Sequence, residues 1–423
     1  MLRGCCKSPQ STLFRFLHAA DIHIDSPLEG LEAYDGAPVA ALRGATRAAF
    51  ENLVLLALDE RVDFLLLAGD LYDGDWRDFS TGLFFTRQMA RLKAANIPVF
   101  LIAGNHDAAS VLTRHLSLPD NVQVFSTRTA ESRTVAGLPV VIHGRGFPHR
   151  AVPENLVLDY PARVAERFNI GLLHTSLTGT AGHDAYAPCC LADLTAKGYQ
   201  YWALGHVHQP RVIARAPWVV YAGNPQGRHS RELGARGCRL VSVGADLEVR
   251  DAEFRATDVL RWARLDVDVG GAESLDGVHL RIGSALRQAA AEAEGRLLAA
   301  RIVLTGSSAL HGALNRDAPG LRAECINQAQ RVSDGVWIET VLVRTTPRQD
   351  LALLATRDEL SRIVLETLDQ AATGELAVPG DVRDLLKILP VELRDGLEAD
   401  LTQRTALLDD VRALLLASLD RGA

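Results

Sequence analysis

No run in this chain of 423 residues approaches the ~20 apolar residues that a membrane span needs, so no helical span is expected. C-x-x-C spacing is also missing. The six cysteines stand at 5, 6, 189, 190, 238 and 325, which argues against a thiolate zinc site. Adjacent pairs such as Cys189–Cys190 rarely build a disulfide framework, so the reading is a reducing, cytoplasmic setting. Basic charge is not in excess. The net charge of -7 argues against coating nucleic acid by bulk charge and leaves only a local basic groove open. The apolar stretch after MLRGCCKSPQ is cut by Arg15 and His18, which makes a poor secretory signal. Leu2 excludes the myristoylation pattern. Residues 1–12 read as a disordered leader, and neither an internal repeat nor a low-complexity segment is found.

What is present is an ordinary globular composition, 48% hydrophobic, in a chain long enough for about two to three domains of roughly 150 residues each. The stretch FLLLAGDLYD at 64–73 organises the rest. Its apolar run predicts a buried strand over 64–68 in a sheet covered on both faces. Gly69 then turns the chain, and Asp70 stands at the strand's C-terminal end, where open α/β sheets carry their chemistry. A first strand is expected over 13–20, and a helix from Phe50 to about Glu60, where Phe50, Leu53, Val54, Ala57 and Leu58 recur at helical spacing. A helix over 79–94 and a strand over 99–103 continue the α/β alternation. Short apolar strands follow at 122–125, 138–143, 170–173, 201–204, 218–221 and 238–243. After Thr257 a small βαβαβ unit is expected, with strands at 265–269, 297–304 and 336–343 and helices at 275–294 and 321–330. The remainder reads as helical, with Leu407, Leu408, Val411, Leu414, Leu415 and Leu419 forming one apolar stripe.

Five expected strand ends carry Asp21 and His23, Asp70, Asn105 and His106, His174, and His206 and His208. Histidine, carboxylate and amide oxygen suit a borderline divalent ion such as manganese, iron or zinc. So many candidate ligands exceed one tetrahedral ion. They suit two ions sharing a carboxylate, the arrangement that clamps attacking and leaving oxygens in phosphoryl transfer. In D-x-H and H-x-H the alternate side chains lie on one side of an extended segment and can converge.

D-x-H, G-D-x-x-D, G-N-H-D, a His after an apolar strand, and G-H-x-H, in that order over residues 13–245, resemble the calcineurin-like metallophosphoesterase superfamily. LHAADIH, AGDLYD, IPVFLIAGNHD, ALGHVH and YAGNPQGR resemble within it the nuclease subunit of SbcCD-type DNA repair complexes. The resemblance implies an α/β fold: a two-sheet metallophosphoesterase sandwich flanked by helices, with a small α/β cap domain and a helical C-terminal tail. The expected limits are 13–258 for the nuclease domain, 259–346 for the cap and 347–423 for the tail. It implies that Asp21, His23, Asp70 and His208 hold one metal, and that Asp70, Asn105, His174 and His206 hold a second, with Asp70 bridging. His106 would face the substrate and protonate the leaving oxygen, Asp73 would orient it, and Asp107 reads as structural. A hydroxide bridging two ions, most simply Mn2+ with Fe2+ or Zn2+ as alternatives, would attack the phosphorus. The implied activity is 3′→5′ DNA exonuclease, with endonuclease activity an open addition. The implied partners are DNA, an SMC/SbcC-like ATPase and a second copy of the chain in a homodimer, with no membrane.

Other readings stand beside these. The same site can act on cyclic nucleotides, nucleotides or phosphoproteins, although a purple acid phosphatase would carry Tyr where Asp73 stands. A non-catalytic scaffold is the third reading. His143 and His149, beside Arg145 and Arg150, suit either a phosphate path or a solvated loop. Arg228, Arg231, Arg236 and Arg239 suit either the DNA backbone or an ordinary charged surface. The leucine stripe suits packing on its own domain or docking a partner.

Overall fold

The computed structural model of the protein describes residues 12–26, 38–73, 79–109, 117–177 and 186–348, with a few positions between 359 and 370. In chain order the first elements are β1 (Thr12–Ala19), α1 (Val39–Asp59), β2 (Phe64–Ala68), α2 (Ser80–Ala94), β3 (Val99–Ile102), β4 (Val122–Val124), β5 (Glu131–Thr134), β6 (Val140–Gly144), β7 (Phe168–His174), α3 (Leu191–Ala196) and β8 (Tyr201–Gly205). Then come β9 (Arg211–Arg215), β10 (Trp218–Tyr221), β11 (Gly237–Gly244), β12 (Val249–Ala256), β13 (Leu260–Asp268), α4 (Leu275–Glu292), β14 (Leu297–Thr305), β15 (Ser307–Ser308), α5 (His311–Arg316), α6 (Ala318–Val332), β16 (Val336–Val343) and β17 (Thr346–Pro347).

Two six-stranded sheets form, in the orders β12-β11-β1-β2-β3-β4 and β5-β6-β7-β8-β10-β9. In the first, β1 to β4 pair in parallel and β11 and β12 close the edge antiparallel. In the second, β6, β7, β8 and β10 run parallel between antiparallel edges. Helices α1 and α2 supply the crossovers that parallel neighbours require. This is the expected two-sheet architecture with flanking helices.

The period of two along each strand sorts the core into layers. Phe16, Phe64, Leu66 and Phe100 of the first sheet and Phe168, Ile170 and Tyr201 of the second share one cluster. Leu65 and Leu67 point the other way, into a cluster with Phe50, Leu53, Phe85 and Met89 of α1 and α2. Phe16 stacks on Phe64 with ring centres 4.8 Å apart and meets the edge of Tyr201 at 5.3 Å, contacts that add to the area they bury. His18 follows Phe16 on the same face. Its Nε2–H donates to the Leu204 carbonyl at 3.2 Å and its Nδ1 accepts from the Tyr201 hydroxyl at 3.0 Å. Burial pushes the His18 pKa down to about 3, so the ring stays neutral and joins the two sheets near the end of β8.

Within the two six-stranded sheets three strands were not expected: β5 (ESRT), β9 (RVIAR) and β12 (VRDAEFRA). Each is an edge strand. Charged and polar side chains blunt such edges, which hides them from a search for apolar runs. Helix α1 also begins at Val39 rather than Phe50, because Leu42, Ala45, Thr46 and Ala49 extend its buried face.

By its internal contacts the chain divides into two units: residues 1–264, 287–301 and 332–339, and residues 265–286, 302–331 and 340–423. Trp262 and Trp337 pack edge to face at 6.1 Å in the first. In the second, Arg281 ties the Asp268 and Gly270 carbonyls at 2.7 and 2.9 Å. Strands β13, β14 and β16 form a three-stranded sheet with β14 central. With α4 and α6 between them, they trace the expected βαβαβ order. Residues 1–11 and the leucine stripe at 407–419 lie outside the described residues.

Candidate metal centre

The segments that follow β1, β2, β3, β7 and β8 meet at one end of the two sheets. Beyond β1 the chain zips onto the segment beyond β2: Asp21 N–H donates to the Gly69 carbonyl at 3.0 Å and His23 N–H to the Asp70 carbonyl at 3.1 Å. Asp21, His23, Asp70 and His206 all take positive φ, at 52°, 47°, 51° and 96°. Such backbone costs non-glycine residues about 1–3 kcal/mol each, and it turns four side chains toward the same space. The glycines of the motifs are there for room. A Cβ on Gly104 would sit 2.2 Å from Asp70 Oδ1, and one on Gly205 would sit 2.0 Å from the Ala68 carbonyl. Gly205→Ala is therefore expected to lower stability by about 1–3 kcal/mol through overpacking, read from the denaturant midpoint.

Ligand-capable atoms of Asp21, His23 and His208 lie within 4.8 Å of one another, as do those of Asp21, Asp70 and His174, and those of His23, Asp73 and His106. His174 Nδ1–H donates to the Ala68 carbonyl at 2.9 Å. Its Nε2 then faces Asn105 Oδ1 at 2.9 Å and Asp70 Oδ2 at 3.3 Å. His23 Nε2 faces His208 Nε2 at 3.3 Å and Asp70 Oδ2 at 4.0 Å. Two nitrogens bound to one ion at 2.0–2.1 Å stand about 3–3.4 Å apart, so the His23–His208 spacing fits a shared cation. Asp21 is held by the His206 N–H, which reaches both its oxygens at 3.0 Å. The His206 ring centre lies 5.3 Å from that of His174, and His206 stands outside the three groupings.

The electrostatics ask for positive charge. Burial raises the Asp21 pKa and the Asp70 carboxylate adds to it. Burial lowers that of His23 well below the ordinary histidine value, and the Arg228 charge adds to the shift. Burial works against ionisation of Asp70, yet the neighbouring His174 holds its pKa down. His174 is itself disfavoured by burial but carried up to about 9 by Asp70. Buried charges of this kind need compensation, and a divalent ion would take the place of the His174 proton. Asp107 is pushed up to about 6 by burial and by Asp70. It accepts from the Leu71, Tyr72 and Gly104 N–H groups at 3.1, 2.9 and 3.0 Å. It thus ties the segments after β2 and β3 together, a structural task.

Beside these groups Asp73 Oδ1 lies 2.6 Å from His106 Nδ1. Asp73 Oδ2 accepts from Ser26 Oγ at 2.6 Å and from Arg228 Nη1 at 3.3 Å. Burial opposes the Asp73 charge, but the hydrogen bonds of His106 and Ser26 hold its pKa at about 2. The same bond raises the His106 pKa. Sequence reasoning missed Ser26 and, more consequentially, Glu232, whose Oε1 lies 2.6 Å from His208 Nδ1. Glu232 sits in RHSRELGAR, a charged stretch that reads as surface, so only its burial marks it.

Two readings of other side chains need correction. His143 is neither on a phosphate path nor in a solvated loop. It is buried, bonded to Ser132 Oγ at 2.8 Å and Asn169 Oδ1 at 3.1 Å, and stacked on Tyr199. Arg236 is not placed to grip DNA, whereas Arg239 is half-buried. Arg236 is buried and bonds the His208 and Leu233 carbonyls at 2.5 and 3.0 Å. Arg239 lies over the Phe254 ring.

Residues 14–210 match the calcineurin-like phosphoesterase family, and residues 262–346 match the middle domain of metallophosphoesterase YhaO. The uncharacterized metallophosphoesterase YhaO of Bacillus subtilis (strain 168) is 37% identical over 302 residues, 69% of this chain and 72% of that protein. The chain belongs to the calcineurin-like metallophosphoesterases. It is also 27% identical, over 55% of its length and 52% of the relative's, to the DNA double-strand break repair protein Mre11 of Haloferax volcanii. A nuclease SbcCD subunit of Bacillus subtilis (strain 168) is 25% identical over 54% of this chain and 66% of that protein. This metallophosphoesterase is thus a hydrolase of a family that uses two divalent metal ions, and its groupings of His and Asp supply donors for them. Among the described residues no helix is long and apolar enough to cross a membrane.

Proposed function

We propose that this metallophosphoesterase is a two-metal DNA phosphodiesterase, a 3′→5′ exonuclease with endonuclease activity as an open addition. Asp21, His23, Asp70 and His208 would hold one ion, and Asp70, Asn105, His174 and His206 the other. Mn2+ is our first choice, with Fe2+ and Zn2+ as alternatives. When bound, the two ions supply the charge that makes a water nucleophilic and neutralises phosphate oxygens. The observation that carries the catalytic assignment is the 2.6 Å contact between His106 Nδ1 and Asp73. Asp73 accepts a hydrogen bond from Nδ1–H of the His106 imidazolium, which leaves Nε2–H free to give its proton to the leaving sugar oxygen. His106 is partly open, with 31% of its side chain exposed, so a substrate can reach it. The hydrogen bond to Asp73 raises the His106 pKa, so that proton stays on to higher pH than on an ordinary histidine.

The DNA reading is supported by two relatives' names, a DNA double-strand break repair protein and a nuclease subunit. End-labelled single- and double-stranded DNA incubated with Mn2+, beside a cyclic-nucleotide control, tests it. Progressive shortening from the 3′ end is expected. Turnover of the cyclic nucleotide with intact DNA would move the substrate to small phosphodiesters. We further propose that residues 13–258 form the nuclease domain, 259–346 a cap and 347–423 a docking tail. The expected assembly is a cytoplasmic homodimer that engages an SMC/SbcC-like ATPase. The free thiols of Cys189, Cys190, Cys238 and Cys325 accord with a reducing compartment. Sedimentation of the full chain and co-purification with such an ATPase measure the two associations.

A further inference from the structure

We propose that Glu232 is a positioning residue of the metal centre, acting through His208; this rests on the two-metal reading above. His208 has two ring nitrogens, and only one can face an ion. A separation of 2.6 Å between His208 Nδ1 and Glu232 Oε1 requires a proton between them, and the carboxylate makes Nδ1 the nitrogen that carries it. The Nε2 lone pair is then left pointing at His23 Nε2, 3.3 Å away. A histidine that ligates a metal commonly gives its other N–H to such an acceptor, which fixes tautomer and ring angle together.

Glu232 is itself held rigidly. Its side chain is 7% exposed. Oε2 accepts from Asn224 Nδ2 at 2.9 Å and from the Arg228 N–H at 2.7 Å. Asn224 is oriented in turn by Arg236, whose Nη1 reaches Asn224 Oδ1 at 3.3 Å and the His208 carbonyl at 2.5 Å. Three donors therefore converge on one carboxylate, and each needs an acceptor. Glutamine has nearly the same shape but only one acceptor oxygen. With its NH2 toward Asn224 and Arg228 it meets two donors. Turned over, it presents N–H to His208 Nδ1 and moves the His208 proton onto Nε2, where the ion must bind.

The test is Mn2+ titration of the full chain by calorimetry, for the wild type, Glu232→Gln, Glu232→Ala and Glu232→Asp. The wild type should bind two ions. Glu232→Gln and Glu232→Ala should weaken one of the two binding events by about 10–100-fold, the usual cost of removing such a partner, and leave the other within a few-fold. Glu232→Asp keeps acceptor polarity at shorter reach and should fall between them and the wild type. A general loosening of the fold would weaken both events together, so that result overturns the proposal. Two equally tight ions in Glu232→Gln also overturn it, and this near-isosteric variant serves if Glu232→Ala does not fold. A wild type that takes up no Mn2+ overturns the two-metal reading itself, which the titration separates from failure of Glu232 alone.

Discussion

His106→Ala is expected to keep both metal ions and to lose turnover by about 10²–10⁴-fold, the usual worth of general-acid help. The side chain has no place in our two ligand sets, and its Nδ1 is engaged by Asp73 at 2.6 Å. Elemental analysis and single-turnover rates on one preparation check both halves. Loss of an ion would instead support the third grouping, in which His23, Asp73 and His106 lie close enough to share one. Asp73→Asn separates the role of charge from that of shape. The bond to Asp73 is the leading reason that the His106 pKa is raised. A raised pKa keeps the proton on to higher pH. Without the carboxylate the proton leaves earlier, and the alkaline limb of the rate profile should move to lower pH. An unmoved limb in Asp73→Asn would assign that limb to another group.

Asp70→Asn should have the largest effect of all. Asp70 Oδ2 lies 3.3 Å from His174 Nε2 and 4.0 Å from His23 Nε2, and Asp70 Oδ1 accepts from the His106 N–H at 2.9 Å. It therefore stands between the two candidate ion positions and also shapes the turn that carries His106. Partners that merely orient a ligand are worth about 10–100-fold in metal affinity, so loss of a bridging carboxylate should cost more than ~100-fold for at least one ion and abolish measurable turnover. Asn is nearly the same size, so the fold should survive, with an unchanged far-ultraviolet spectrum. Full occupancy by two ions together with normal activity would remove Asp70 as the bridge.

Much of this was legible in the sequence, and the reason is local. Each candidate ligand stands at the end of an apolar strand or within four residues past it, so strand end and ligand form one short pattern, as in FLLLAGD at 64–70. Such patterns depend on neighbours along the chain, and five of them in order specified the fold class and pointed to Asp21, His23, Asp70, His174 and His208, whose side chains the structure groups. Edge strands such as β12, with VRDAEFRA, were not legible. The charged residues of β12 face water, and only pairing with β11 makes it a strand.

Tertiary structure alone decided three further things. It buried His143 against Asn169 and Tyr199, where a histidine flanked by basic residues had suggested a surface. It turned Arg236 inward, onto the His208 carbonyl. It brought Glu232 to His208 across 24 positions of sequence. No period or spacing encodes that last contact. It exists because the segment after β10 folds back over the end of β8 and desolvates one carboxylate among several. A carboxylate in a charged loop is ordinarily solvated, and burial beside a histidine is what gives this one its role.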